Sequence, residues 1–397
     1  MDPTTTALGT WSGGRFMHFG EPLEEGRLRA LLRPGGGIDT AITADVYGEG
    51  AADSLLGEAL RGIERDSYCL VGAIGHDFYK GEREGAKGFP RFTDPQLRTE
   101  GEYAAYIRMA TERSLKRIGA EQFDLLLLHN PDRTGYTSEA VWEGMRAVRD
   151  GGLTRLLGVA PGPANGFTLD VIDCVERFGE TIDWAMIIFN PLEPWPGELV
   201  LDAAAAHDVS LIARVVDYGG MFHDDVSPGH RFAPYDHRKF RPEGWVQEGR
   251  AKLERMRPYA ERHGLSMLQL ACQWCLAQSP VQCVAPTLIQ ETAPLGKGEG
   301  EGGGAASPQA LPRAVEDKRA ELAALTALRA NPETHLSDAE VQELRAIGDN
   351  RGCMALKGAS PAYEGEPLAD RWPLTDELQA LAARWDIAPE RDLATSR

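Results

Sequence analysis

The stretch Phe123–Asp132, FDLLLLHNPD, decides how the rest of the chain is read. Four consecutive leucines lack the alternation of a sheet with one wet face. They fit a short strand covered on both faces, as in a parallel sheet whose crossover helices bury it. The run stops abruptly at His129, Asn130, Pro131 and Asp132, which puts an ionisable ring at a strand's carboxyl end. Upstream the apolar spacing predicts an amphipathic helix from about Glu102 to Ile118, and downstream another from about Ser138 to Arg149. The local order is therefore helix, strand, helix.

The same alternation extends outward in both directions. Ala7 to Gly20, ALGTWSGGRFMHFG, has the glycine spacing of a short strand or hairpin. Further strands are expected at Ile38–Ile42, Tyr68–Ile74, Thr154–Val159, Trp184–Phe189, Ser210–Val216 and Val281–Ala285. Helical patterns lie between them, among them Leu23–Arg33, Ala51–Ile63, Leu169–Phe178, Glu248–His263 and Met267–Gln278. With the opening segment this makes eight strands, so the expected fold is α/β, a (β/α)8 TIM barrel with its active-site groups on the loops after the strands. On this reading residues 1–290 form the barrel, 291–312 a glycine-rich linker or loop, and 313–397 a C-terminal helical extension packed on the barrel. Ser337 with Glu340 three residues on has the spacing of a capping box that opens one of its helices.

Composition narrows the function classes. Lysine and arginine total 42 against 60 aspartates and glutamates, a net charge of −18. That balance opposes binding to phosphate backbones and to anionic membranes, so nucleic acid and membrane surfaces are not expected partners. No apolar run approaches the roughly 20 residues of a membrane span, and MDPTTTALGTW lacks the regions of a signal peptide, so a cytoplasmic protein is expected. Six scattered cysteines, Cys69, Cys174, Cys272, Cys275, Cys283 and Cys353, fit reduced buried thiols rather than a disulfide framework. Cys272 and Cys275 form a CxxC, but inside LQLACQWCLAQ, an apolar helical pattern that reads as core.

Two long loops, 76–98 and 217–245, follow the third and seventh strands, and long loops in a barrel commonly carry function. Their neighbourhood supplies the substrate-binding candidates His76, Asp77, Arg214, Asp217 and Tyr218. His76 and Asp77 with His223 could hold a divalent metal, since His and Asp from several strand ends are what such a site requires; equally, they could be solvated loop residues. Arg214, inside the apolar strand LIARVVD, needs a partner, either a barrel carboxylate or a substrate oxygen. Phe78, Tyr79, Phe89, Phe92, Trp195, Phe222 and Phe232 either wall a pocket for a sugar-like compound or pack within their loops.

IDTA with YG and LLGEAL after it, SLKRIGAEQFDLLLLHNPD, GGLTRLLGVA, IIFNPLE and HLSDAEVQELRAIG together resemble the aldo-keto reductases, in order and at similar separations. The resemblance covers most of residues 7–290 and resumes at 336–348. It implies catalytic roles for Asp39, Tyr47 and His129, which match the family's aspartate, tyrosine and histidine. The family's lysine, a cation that lowers the tyrosine's pKa, has Ala73 at its position. The family's carboxamide-holding side chains correspond to Ala160, Pro161 and Met186, and its phosphate loop to VAPTLIQE, with Thr287 and no cation. Three neutral hydrogen bonds at ~1 kcal/mol each amount to about two decades of affinity for the nicotinamide end of NADPH.

What the resemblance implies is an enzyme acting on a small polar, sugar-like carbonyl compound. The matched and unmatched positions favour proton transfer without hydride transfer, as in an isomerase, epimerase or lyase. Tyr47 would be acid or base, His129 the polariser, and Asp39 would orient Tyr47. One alternative is an NAD(P)H-dependent aldehyde or ketone oxidoreductase whose cofactor other residues hold. Another is a non-catalytic ligand-binding or regulatory protein.

Overall fold

A parallel strand can pair with the next only through a covered crossover, and this chain supplies a helical one between most successive strands. The computed structural model describes residues 1–85, 88–162, 168–241, 243–292, 312–350 and 374–393. Its strands are β1 Ala7–Gly9, β2 Thr40–Ile42, β3 Cys69–Ile74, β4 Phe123–His129, β5 Thr154–Ala160, β6 Trp184–Ile188, β7 Ser210–Arg214 and β8 Val281–Ala285. They pair in sequence order and all in parallel. A parallel bridge from Thr6 to Val284 brings β8 back to β1, so the expected (β/α)8 barrel is present. The opening segment contributes one three-residue strand rather than a hairpin.

Strand parity sets what faces where. Leu125 and Leu127 of β4 join Ile42, Ala73, Met186 and Ile212 in the cluster inside the barrel. Leu126 and Leu128 point the other way, into the larger layer between the strands and the helices. Two steps beyond Leu127 comes His129, and two beyond Ile212 comes Arg214, so each continues an inward-facing row at the barrel mouth.

The helices between strands begin and end close to where apolar spacing puts them, as in Tyr103–Ile118, closed by Gly119 at φ 79°, and Met267–Leu276, opened by a Ser266/Gln269 capping box. Beyond the barrel, Val315–Arg329 packs on Met267–Leu276, Asp338–Gly348 on Trp245–Arg262, and Asp376–Arg384 on Thr168–Phe178. Ser337 and Glu340 form both bonds of the expected capping box. Two polar ties fasten the extension: Arg345 makes a two-pronged pair with Glu198, both bonds 2.6 Å, and Lys318 pairs with Asp225 in a fully buried site. Most of the glycine-rich linker, 293–311, and Cys353 lie outside the described residues. No described helix is long and apolar enough to cross a membrane.

Candidate active site

The carboxyl ends of the strands surround a cavity of about 170 Å³. Tyr47 reaches it from the turn that follows β2, where Gly48, Glu49 and Gly50 all have positive φ. The Tyr47 ring stands edge-on to His129, with centroids 5.7 Å apart and planes at 87°. A second imidazole, His76, packs behind His129 at 5.3 Å; its Nε2 lies 3.1 Å from the Asn130 side-chain amide and its Nδ1 2.9 Å from the Phe89 carbonyl. These contacts fix the depth and tilt of the His129 ring. Asn130 itself turns left-handed at φ 47° and carries its side chain to the cavity rim.

His129 is buried, and its Nδ1 has no hydrogen-bond partner. Burial, reinforced by the positive charges of Arg214 and Arg91, pulls its pKa down to about 3, so the ring is a neutral imidazole at ordinary pH. Burial raises the Tyr47 phenol above its usual value while Arg214 pulls it back. Tyr47 therefore has a cation in its field, even though Ala73 lies in the inner apolar cluster where the resemblance expects a lysine.

Arg214 ends β7 and projects inward. Its Nη2 donates to the carbonyls of Pro161 at 3.1 Å and Gly162 at 2.6 Å, whereas its buried Nε has no partner. The next residue, Val215, has φ 58°, a costly conformation for a β-branched residue. Its carbonyl accepts from Asn190 Nδ2 at 3.1 Å, which helps hold the turn.

The rest of the mouth is different in kind. Ala160 and Met186 belong to the apolar lining, and Pro161 offers no side-chain hydrogen bond. The loops after strands 7 and 8 are the usual phosphate-binding corner of such barrels. Here the Asp217 carboxylate occupies the backbone amides at that corner: Oδ1 accepts from Thr287 N at 2.7 Å and Oδ2 from Gly220 N at 2.9 Å. Burial raises the pKa of Asp217 while these donors and the charge of Arg241 hold it back. Among the described residues, these positions therefore present apolar side chains and a carboxylate already bonded to backbone amides.

Several expected site residues are elsewhere. Asp39 precedes β2 at the barrel's opposite end, where its carbonyl accepts from Cys69 N, so it cannot orient Tyr47. The strand runs only from Thr40 to Ile42, and the carboxylate at its mouth end is Asp45, directed outward to the Tyr79 hydroxyl at 3.4 Å. Asp77 pairs with Arg98 and accepts from the Tyr79 and Lys80 amides; it does not line the cavity. Tyr218 lies beneath Arg241, whose guanidinium carbon is 4.7 Å from the ring, outside the cavity lining. The metal expectation finds no support in these contacts. His76 is engaged by Phe89 and Asn130, His223 is buried in the β7 loop, and no three His, Cys, Asp or Glu side chains gather to hold an ion among the described residues. Cys272 and Cys275 are core residues, as expected.

The loop 217–245 also delivers His237, Arg238 and Arg241 to the cavity, and the opening segment delivers Trp11. Sequence reasoning passed over all four. The polar run DHRKFR was the available signal, but nothing local says which of its side chains turns inward. The aromatic loop residues mostly pack among themselves, as Phe92 stacks on Tyr106 and Phe232 on Trp245, and Trp11 and Phe19 wall the cavity instead.

The Aldo/keto reductase family model matches residues 7–292. The chain belongs to the aldo/keto reductase family. Among its relatives, a probable voltage-gated potassium channel subunit beta from Arabidopsis thaliana is 24% identical over 299 residues, spanning 72% of this chain and 85% of that protein. A probable aldo-keto reductase 1 from Glycine max is 31% identical over 115 residues, 29% of each chain. Solved structures with the same fold include a glycerol dehydrogenase from Gluconobacter oxydans, with TM-score 0.60, 21% identity, and coverage of 87% of this chain and 92% of that one. An aldo-keto reductase from Klebsiella pneumoniae in complex with NADPH has TM-score 0.53, 18% identity, and coverage of 87% and 95%. Within this aldo/keto reductase family member, Tyr47 and His129 meet at one cavity, whereas Asp39 stays outside it.

Proposed function

We propose that this aldo/keto reductase family member is an enzyme that moves a proton on a small polar carbonyl compound without transferring a hydride, as in isomerisation, epimerisation or elimination. The observation that carries the reading is the Tyr47–His129 pair at a cavity whose phosphate corner is filled by Asp217. His129, neutral, donates an imidazole N–H to the carbonyl oxygen and so stabilises the charge that grows there. Tyr47 exchanges the proton: as phenolate it takes one from the carbon beside the carbonyl, and as phenol it returns one to the neighbouring atom. The Arg214 charge eases formation of that phenolate.

The test is deuterium uptake from heavy water into carbonyl compounds, followed by NMR, beside a titration of the protein with NADPH and NADH. Exchange without either dinucleotide, lost in Tyr47→Phe, is expected. Steady consumption of NADPH with aldehydes or ketones would overturn the reading in favour of a second one, an NAD(P)H-dependent oxidoreductase. That second reading draws its support from the family match and from structural neighbours bound to NADP and NADPH.

A further inference from the structure

Arg214 differs from the other cations at this cavity. Arg238 is saturated: its guanidinium meets Asp236 at 2.7 Å and Glu291 at 2.9 Å, all three buried. The Arg241 guanidinium lies over two rings, 4.7 Å from that of Tyr218 and 4.5 Å from that of Trp245. Among the described residues Arg214 has two backbone carbonyls on Nη2, an Nε with no partner and no ion pair, although the charge of Glu193 acts on it. A guanidinium so enclosed is costly until an anion meets it, and its planar fork matches a carboxylate or a phosphate face.

The remaining charges at the cavity sharpen the point. Asp217 is held by the amides of Thr287 and Gly220, so its carboxylate is not turned to Arg214. His129 is uncharged. Arg214 thus stands beside the His129 imidazole and the Tyr47 phenol in a space for a small molecule.

We propose that Arg214 anchors an anionic group, a carboxylate or a phosphate, on the small carbonyl compound that reaches Tyr47 and His129. The substrate class is then a short oxo acid or a phosphorylated carbonyl compound. This rests on the proton-transfer reading for the chemistry, but not for the binding. An anion seated on Arg214 places its neighbouring carbonyl toward the two rings, and the same cation stabilises the enolate that proton removal leaves.

Calorimetric titration of the full chain tests it, with pyruvate and 2-oxoglutarate as carboxylates, glyceraldehyde 3-phosphate and inorganic phosphate as phosphates, and hydroxyacetone as the neutral counterpart. At least one anion is expected to bind tenfold or more tightly than hydroxyacetone, and the stronger arm distinguishes carboxylate from phosphate. Arg214→Met is expected to weaken that anion about tenfold to a hundredfold, with Arg214→Lys between the two and the exposed-cation control Lys116→Met unchanged. Circular dichroism of each variant reports folding, and the lysine variant carries the test if the methionine variant fails to fold. Three outcomes would overturn the proposal: equal binding of hydroxyacetone, undiminished anion affinity in both Arg214 variants, or no anion binding at millimolar concentration. Because heat is read without turnover, anion binding with no deuterium exchange would sink only the proton-transfer reading.

Discussion

The two arcs of the barrel mouth handle polar groups in opposite ways. Along β2 to β4, Tyr47 and His129 are presented to the cavity, with the His129 Nδ1 unpartnered and the His76 and Asn130 side chains bracing the ring. Along β5 to β8, Ala160 and Met186 present apolar surface and Asp217 is satisfied internally, while Arg214 keeps an unpartnered Nε. An open arc keeps reactive atoms at the cost of burying them without partners. A closed arc is stabilised by its own bonds and leaves less for a ligand to replace.

The largest expected effect lies in the open arc. Tyr47→Phe removes the proton carrier but leaves the ring packed, so deuterium exchange into substrate should fall about 10²- to 10⁴-fold with little change in unfolding free energy. Retention of exchange would mean that the open arc is not the reactive one. His129→Asn, which removes the neutral donor, should lower the same rate about 10²- to 10³-fold.

The closed arc should respond in stability. Lys318→Met breaks a buried ion pair with Asp225 in the loop after β7 and should cost about 3 kcal/mol in urea unfolding. Asp217→Ala leaves the Thr287 and Gly220 amides without their acceptor and should cost about 2 kcal/mol, with exchange activity falling far less than in Tyr47→Phe. If Asp217→Ala gained micromolar NADPH affinity, the corner would be a masked phosphate site rather than a closed one.

Per group and per pH unit, the smallest effect is a pH dependence. His129, His76 and His223 all have pKa values below the ordinary 6.5, His129 at about 3, chiefly because burial disfavours the imidazolium. Below pH 6.5 the unfolded chain takes up protons that the native one does not, so stability falls as the solution is acidified. Each histidine contributes about 1.4 kcal/mol per pH unit until its folded pKa is reached. Unfolding midpoints in urea at neutral and mildly acid pH should show this slope, and His129→Asn should remove about one histidine's share.

Much of this was legible in the chain. The eight strands, the capping box at Ser337 and the inward row ending at His129 follow from spacings of two and of three to four residues, which depend only on neighbours in sequence. Arg214 was conspicuous for the same reason, a cation in an apolar strand. Asp39 was misplaced because the match to IDTA could not tell which end of a three-residue strand the aspartate would occupy.

By itself, then, the sequence determined the barrel, the direction of its strands and the presence of a histidine and an arginine at their ends. Only the tertiary structure decided what those groups meet. Asp217 and Thr287 are 70 residues apart, and their 2.7 Å bond exists because β7 and β8 are neighbours in the closed sheet. Tyr47 meets His129 across the width of β3. Hydrogen bonds and charge interactions decay over a few ångströms, so whether a polar side chain is satisfied or left open to a ligand depends on contacts that no local pattern records.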